Sequence, residues 1–158
     1  MKRPAPQAPR KRPKTLRDEA RRAIARCAGW NARLAARHIT QFIEREMAGS
    51  GIGLAQFGLL ALIAAAEDDT LGALAERAGL EQSSLSRNLR LLERDGLVEI
   101  ATVEADQRRR AVWLTETGAR RLEAAMPRWQ QAQARLARLM SPELPRRLAQ
   151  ASRSLVES

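Results

Sequence analysis

Residues 81–98 read EQSSLSRNLRLLERDGLV: three leucines at helical spacing, Leu85, Leu89 and Leu92, lie beneath a run of serines and arginines, and Asp95-Gly96 stops the pattern abruptly. Successive helical residues are turned by about 100°. With the leucine stripe facing a core, Ser83, Arg87, Arg90 and Arg94 fall on the opposite face, flanked by Ser84 and Ser86. Many exposed helix faces are Arg-rich for solubility alone, so the reading of this one depends on its neighbours.

Upstream, Thr70 is placed to cap a helix with Leu71, Leu74, Ala75 and Ala78 at i, i+3, i+4 and i+7, and Gly79 ends it. Downstream the period changes from 3.6 to 2. Val98 and Ile100 alternate with Glu99 in LVEIATV (97–103), and Val112 and Leu114 alternate with Trp113 in RRRAVWLT (108–115). The EADQ loop between them, with turn-forming Asp106, makes the pair a β-hairpin. Two short helices joined by a Gly-containing turn and followed by a hairpin have the layout of a winged helix-turn-helix.

In that setting the polar face of 83–94 has the chemistry a DNA major groove needs. Ser83, Ser84 and Ser86 are short enough for close approach, Arg87 can bond guanine O6 and N7 together, and Arg90 and Arg94 suit phosphates. Arg108, Arg109 and Arg110 follow Asp106 at the hairpin tip. Adjacent arginines repel one another and add nothing to a core, but near phosphates or a narrow minor groove the sign reverses. Asp106 would orient Arg108 by a charge-assisted bond. A merely solvated loop is the alternative.

The flanks are long helices. Thr15 to about Ala48 carries apolar residues at threes and fours, GSGIG (49–53) breaks it, and LAQFGLLALIAAA forms a second helix. Thr115 caps a long helix with positions 119, 122, 126, 129, 133, 136 and 140 on its stripe and Pro127 inside, where a kink is expected. Ser141-Pro142-Glu143 restarts a last helix carrying Leu144, Leu148, Ala151 and Leu155. The fold class predicted is mainly α with a small β-hairpin wing: a single domain over 15–158, with residues 54–114 as the reading part. Residues 15–48 and 115–158 bear more apolar stripe than so small a part can cover, which a two-fold dimer would bury.

The 158-residue chain has a net charge of +10, pointing first to nucleic acid and second to an anionic membrane surface. Residues 1–14 (MKRPAPQAPRKRPK) hold six Lys/Arg, four Pro and no acid, so +4 remains for residues 15–158. That composition predicts a disordered basic tail, either simply solvated or gripping phosphates. No apolar run approaches the ~20 residues that span a bilayer, and no hydrophobic stretch follows the basic start as in a secretory signal. One cysteine fits a reducing cytoplasm. One Cys and one His are too few for a tetrahedral metal site. On a single helix Cys27 and His38 lie roughly 16 Å apart, too far for a catalytic dyad. With no phosphate-cradling loop, HExxH or nucleophile elbow, neither an enzyme nor a cofactor is expected.

These residues resemble the MarR family of transcriptional regulators. The resemblance runs through Gln56-Phe57 with Leu59-Leu60, Leu74-Ala75-Glu76, Ser84-Leu85-Ser86-Arg87, Leu92-Glu93, Gly96-Leu97-Val98, Asp106-x-Arg108, and Leu114-Thr115 with Gly118, and it covers about residues 16–156. It implies an obligate homodimer, interlocked through the first helix and the last two, with one winged domain per protomer reading half of a palindromic operator in double-stranded DNA. The recognition helix then corresponds to 83–94, and the wing arginine entering the minor groove to Arg108. Gly53 is a departure, since the family usually has Thr there; Gly is a tolerable N-cap.

Some relatives sense peroxide with a first-helix cysteine eight residues before the arginine matching Arg37. Here that position is Gly29, and the chain lacks the tyrosines that hold such a thiolate. Cys27 is therefore read as a small buried residue, with redox sensing the alternative. Many relatives also bind a small aromatic or phenolic anion, for which Trp30, Arg37 and His38 are candidates; His38 reads equally as a packing or interface residue. Trp113 and Trp129 read as core or interface. The sequence thus points to a cytoplasmic, homodimeric, ligand-responsive repressor, the alternative being an architectural protein that coats DNA without sequence preference.

Overall fold

A computed structural model of the chain describes residues 14–67, 70–103 and 106–155; the side chains of residues 14, 103 and 106–109 are not among those described. The basic tail lies outside the described residues except for Lys14, which opens the first helix. The described elements run α1 (Lys14–Arg26), α2 (Ala28–Glu46), α3 (Leu54–Ala64), α4 (Leu71–Ala78), α5 (Gln82–Arg94), β1 (Val98–Val103), β2 (Asp106–Leu114), α6 (Glu116–Leu139) and α7 (Glu143–Ser152), which passes into a 3-10 turn at Arg153–Leu155. This is the mainly α chain with a hairpin wing that the change of period predicts. Among the described residues no helix is long and apolar enough to cross a membrane. Two compact units divide between Ile39 and Thr40, inside α2.

In the first unit, the single helix expected over 15–48 is interrupted at Cys27. Gly29 lowers helix propensity just beyond the break, and the Asn31 side-chain amide spans it, Nδ2 donating to the Ala25 carbonyl at 3.1 Å. Cys27 is exposed, not buried as expected. Every described side chain of α1 is exposed as well, because among the described residues this unit has only α1 and the first part of α2, with no third layer to close over an apolar stripe.

The second unit has the core. Met47, Leu60, Leu74, Leu85, Leu89, Leu92, Val98 and Val112 are its largest fully buried side chains. The stripe of α5 packs as the leucine spacing predicts, with Leu85, Leu89 and Leu92 each 1% exposed or less. Phe57 of α3 stacks on Trp129 of α6, ring centroids 5.3 Å apart. The α3 N-terminus shows how Gly53 is tolerated. The Leu54 N–H donates to Glu44 Oε1 at 2.9 Å, and the Gly53 N–H donates to Gln56 Oε1 at 3.2 Å. A carboxylate from α2 thus replaces the hydroxyl of a Thr cap and sits favourably at the helix's positive end. Two arginines of α6 hold the end of α2: Arg128 Nη1 donates to the Ala48 carbonyl at 2.7 Å, and Arg135 pairs with Glu46 at 2.6 Å.

α6 runs unbroken from Glu116 to Leu139 through Pro127. Its buried residues are Gly118, Leu122, Ala125 and Ala132 rather than the larger residues of the predicted stripe, of which only Leu122 is fully buried. Gly118, Ala125 and Ala132 recur every seven residues, forming a seam of minimal side chains. At its start the fit is closest. A Cβ on Gly118 would overlap the Leu97 carbonyl oxygen, a backbone atom that cannot swing aside. Thr115 caps this helix: its hydroxyl accepts from the Gly118 N–H at 2.9 Å and donates to the Gly96 carbonyl at 2.7 Å, while its own N–H donates to the Leu97 carbonyl at 3.1 Å. α7 opens at Glu143, with Pro142 in the cap position, so the restart at Ser141-Pro142-Glu143 falls one residue later than a Ser141 cap with proline as first helical residue would place it.

Gly118→Ala is expected to lower stability by about 3 kcal/mol, the upper range for overpacking a core, as read by urea denaturation. A wild-type midpoint would mean that α6 lifts off Leu97 at no cost. Glu44→Ala should lose about 1 kcal/mol, the usual worth of a helix cap; an unchanged midpoint would show that the carboxylate does not support α3.

Candidate nucleic-acid interface

α4 and α5 are joined by a turn the sequence dictates. Thr70 caps α4 through its Oγ1, which accepts from the Ala73 N–H at 3.4 Å. Gly79 ends α4 in the left-handed region at φ +61°, ψ 34°, where its N–H donates to Glu76 and the Leu80 N–H to the Ala75 carbonyl. A side chain would strain that conformation, so Gly79 fixes the angle at which α5 leaves. α5 then presents Ser83, Arg87, Arg90 and Arg94 to solvent, with Ser84 and Ser86 half-buried at its edges.

The arginines differ in what holds them. Arg87 Nε donates to the Ser83 carbonyl one turn back at 3.2 Å, which orders the side chain and leaves the terminal nitrogens of its fork for an acceptor outside the protein. Arg94 Nε lies 3.5 Å from Asp95 Oδ1, both well exposed. Such a surface pair is worth at most about 1 kcal/mol, so a phosphate can displace the carboxylate. Neither partner was evident from the helical spacing, because one is a backbone atom and the other lies past the helix end.

The hairpin stands beside α5. β1 and β2 are antiparallel, with Val98 opposite Leu114, Ile100 opposite Val112 and Thr102 opposite Arg110. Val103 then pairs with Asp106, so residues 107–109 face no partner in the ladder. β2 therefore opens at Asp106, inside the stretch expected as loop. The side chains of Asp106, Arg108 and Arg109 lie outside the described residues, and with them the expected Asp106–Arg108 pair. Arg110 is described and exposed. An isolated bridge between Thr70 and Ala111 ties the hairpin to the start of α4.

Of the predicted residues, Ser86, Arg90 and Arg110 come together. They line one cleft of about 110 Å³ between α5, the hairpin and the first residue of α4. Glu93 is on the same cleft and was not among the sequence candidates, although it lies one turn from Arg90 on the same side of α5.

The other candidates lie elsewhere. Trp30, Arg37 and His38 are all exposed on the part of α2 that belongs to the first unit. Trp113 is 42% exposed on β2 opposite Glu99, so it is not core within one chain, whereas Trp129 packs on Phe57. Among the described residues no group of three or more His, Cys, Asp or Glu side chains is arranged to hold a metal ion.

The model of the MarR family matches residues 50–109, which include the two helices of the turn, the first strand of the hairpin and every residue of the cleft except Arg110. No curated protein matches the chain. Among solved structures, the transcriptional regulator MosR of M. tuberculosis, in complex with DNA, is 34% identical; the match covers 83% of this chain and 97% of MosR with a TM-score of 0.75. The transcriptional repressor CouR, bound to a 23-mer duplex, shares the fold at 20% identity, with 85% and 95% of the two chains covered and a TM-score of 0.70. So does PcaV of Streptomyces coelicolor, in complex with its natural ligand, at 19% identity, coverage of 85% and 95% and a TM-score of 0.70. With its turn of helices, its wing and a 34% identity spread over nearly the whole of MosR, the chain belongs to the MarR family of DNA-binding winged helix-turn-helix transcriptional regulators, which are not enzymes.

Proposed function

We propose that the protein is a repressor that binds a palindromic operator as a homodimer and is released by a small ligand. The observation that carries the DNA-reading part is the ordered Arg87 fork on the exposed face of α5. It stands between the short hydroxyls of Ser83, Ser84 and Ser86 on one side and the phosphate-seeking Arg90 and Arg94 on the other. In this reading α5 lies in the major groove, Arg87 specifies a guanine, and the wing arginines Arg108, Arg109 and Arg110 reach the adjacent backbone and minor groove. MosR has been solved in complex with DNA and CouR bound to a 23-mer duplex, which supports the reading.

The dimer follows from apolar surface left bare in one chain. Leu16 and Ile24 of α1, Trp30 and Leu34 of α2, Leu139 at the end of α6, and Leu144 and Leu148 of α7 are all more than 40% exposed. Residues 15–48 and 115–158 would supply the contact, and two-fold symmetry would set the spacing of the half-sites. The ligand part is supported by PcaV, whose structure holds its natural ligand. Trp30, Arg37 and His38 supply an apolar ring, a cation and a hydrogen-bonding imidazole suited to an aromatic or phenolic anion.

Fluorescence anisotropy with the duplex upstream of the protein's own gene, against a scrambled duplex, tests the reading helix. The native duplex is expected to win by ~10³-fold, and Arg87→Ala to lose ~1–3 kcal/mol of that preference. Equal binding to both duplexes with a steep salt dependence would instead mark an architectural protein that coats DNA. The dimer is checked by sedimentation equilibrium. Wild type should sediment at twice the chain mass, and Leu144→Glu combined with Leu148→Glu should dissociate it. A double variant that stays dimeric would move the interface away from α7.

A further inference from the structure

We propose that Arg90 and Arg110 together clamp a single phosphodiester of the bound DNA strand, so that the recognition helix and the wing share one backbone contact. The inference rests on the DNA-reading function above and names the partner group of one part of that surface.

The cleft has two chemically distinct sides. Fully buried Leu89 and half-buried Leu71 and Ile100 form the apolar side and keep its shape fixed. Ser86, Arg90, Glu93 and Arg110 supply its polar groups. Two arginines from different elements thus converge on a space of about 110 Å³, enough for one phosphodiester. Among the described residues neither has an ion-pair partner: the pairs formed are Arg21–Asp18, Arg94–Asp95, Arg120–Glu116, Arg135–Glu46 and Arg146–Glu143. Glu93 shares the cleft without closing onto either arginine. Two unpaired cations held at one place repel each other until an anion separates them, and planar guanidinium forks match phosphate oxygens in pairs. The Ser86 hydroxyl adds a neutral donor.

Position decides which phosphate. A helix in the major groove and a wing at the neighbouring minor groove are separated by one sugar–phosphate strand, because that strand is what divides the two grooves. The cleft lies between α5 and the hairpin, so it faces that strand. Arg110 is held by its ladder pairing with Thr102, the last rung before the register shift, and the neighbouring Ala111 is tied to the start of α4 by its bridge to Thr70, so this arginine extends from a backbone secured on both sides.

The test replaces single phosphates of the bound duplex by neutral methylphosphonates and titrates wild type, Arg90→Ala and Arg110→Ala against each. Both side chains are exposed, and circular dichroism verifies the fold of each variant. On unmodified duplex each variant is expected to bind roughly tenfold more weakly, the worth of a charge-assisted contact. At one methylphosphonate position per half-site both penalties should disappear together, since the shared anion is gone. Two different positions, one silencing each arginine, would make them independent contacts and overturn the clamp. So would penalties that persist on every modified duplex, which would make the arginines structural. Glu93→Gln should tighten binding to unmodified duplex and leave the methylphosphonate duplex unaffected. Calorimetry with inorganic phosphate and no DNA is expected to show no saturable binding. Saturable binding lost in Arg90→Ala would assign the cleft to a small phosphorylated ligand instead. If wild type binds no duplex at all, the DNA reading itself fails, an outcome distinct from all of these.

Discussion

The structure of the reading unit depends on a backbone contact too close for any side chain. Gly118 sits against the Leu97 carbonyl, and Thr115 secures the approach by bonding at once to its own helix and to the turn that ends α5. Three elements are fixed by that junction. The end of α5 is held because Gly96 and Leu97 are acceptors in it; the hairpin is held because it leaves at Val98 and returns at Leu114; and α6 is held because its first turn is the third side. A recognition helix is useful only if its polar face is presented at a constant angle to the wing. Here that angle is set by hydrogen bonds of 2.7–3.1 Å among backbone atoms and one hydroxyl, rather than by side-chain packing alone.

Around this point the charges are arranged for an external anion. α5 directs Leu85, Leu89 and Leu92 inward and three arginines outward, and those three are secured to different degrees: Arg87 to a carbonyl, Arg94 to an exposed carboxylate, Arg90 to no described residue. An ordered fork favours specificity, because less side-chain freedom is lost when it meets a base. An unpaired arginine favours attraction, because it has no internal partner to give up. The division suits a surface in which some contacts select sequence and others hold the strand in register.

The sequence was legible wherever one local rule acted alone. The leucine stripe of α5, the Thr70 and Thr115 caps, the Gly79 stop and the switch to a period of two each follow from spacing or backbone freedom, and each stands where it was expected. What escaped depends on partners far along the chain. Glu44 caps a helix ten residues away, and nothing near Gly53 announces it. On α6 the buried positions Gly118, Ala125 and Ala132 are small residues among larger Leu, Met and Trp, and the close approach at Gly118 shows only once the opposing Leu97 backbone is known. A small apolar residue on a striped helix is usually buried, yet Cys27 is exposed, as is every described side chain of α1. The meeting of Arg90 with Arg110 required the hairpin register, which alternation alone leaves free by two residues.

The clasp between Gly96 and Thr115 has a consequence for how such a protein can change over time. It joins residues nineteen apart, and everything between them is one hairpin. The hairpin is therefore an interchangeable cassette. Its far end can gain or lose residues at a loop-entropy penalty of only about 0.6 kcal/mol per doubling of length, while its base stays clipped to the body of the domain. Innovation in DNA contacts at that end is thereby insulated from the integrity of the fold, and a lineage can explore new wings without rebuilding the helix that reads beside them.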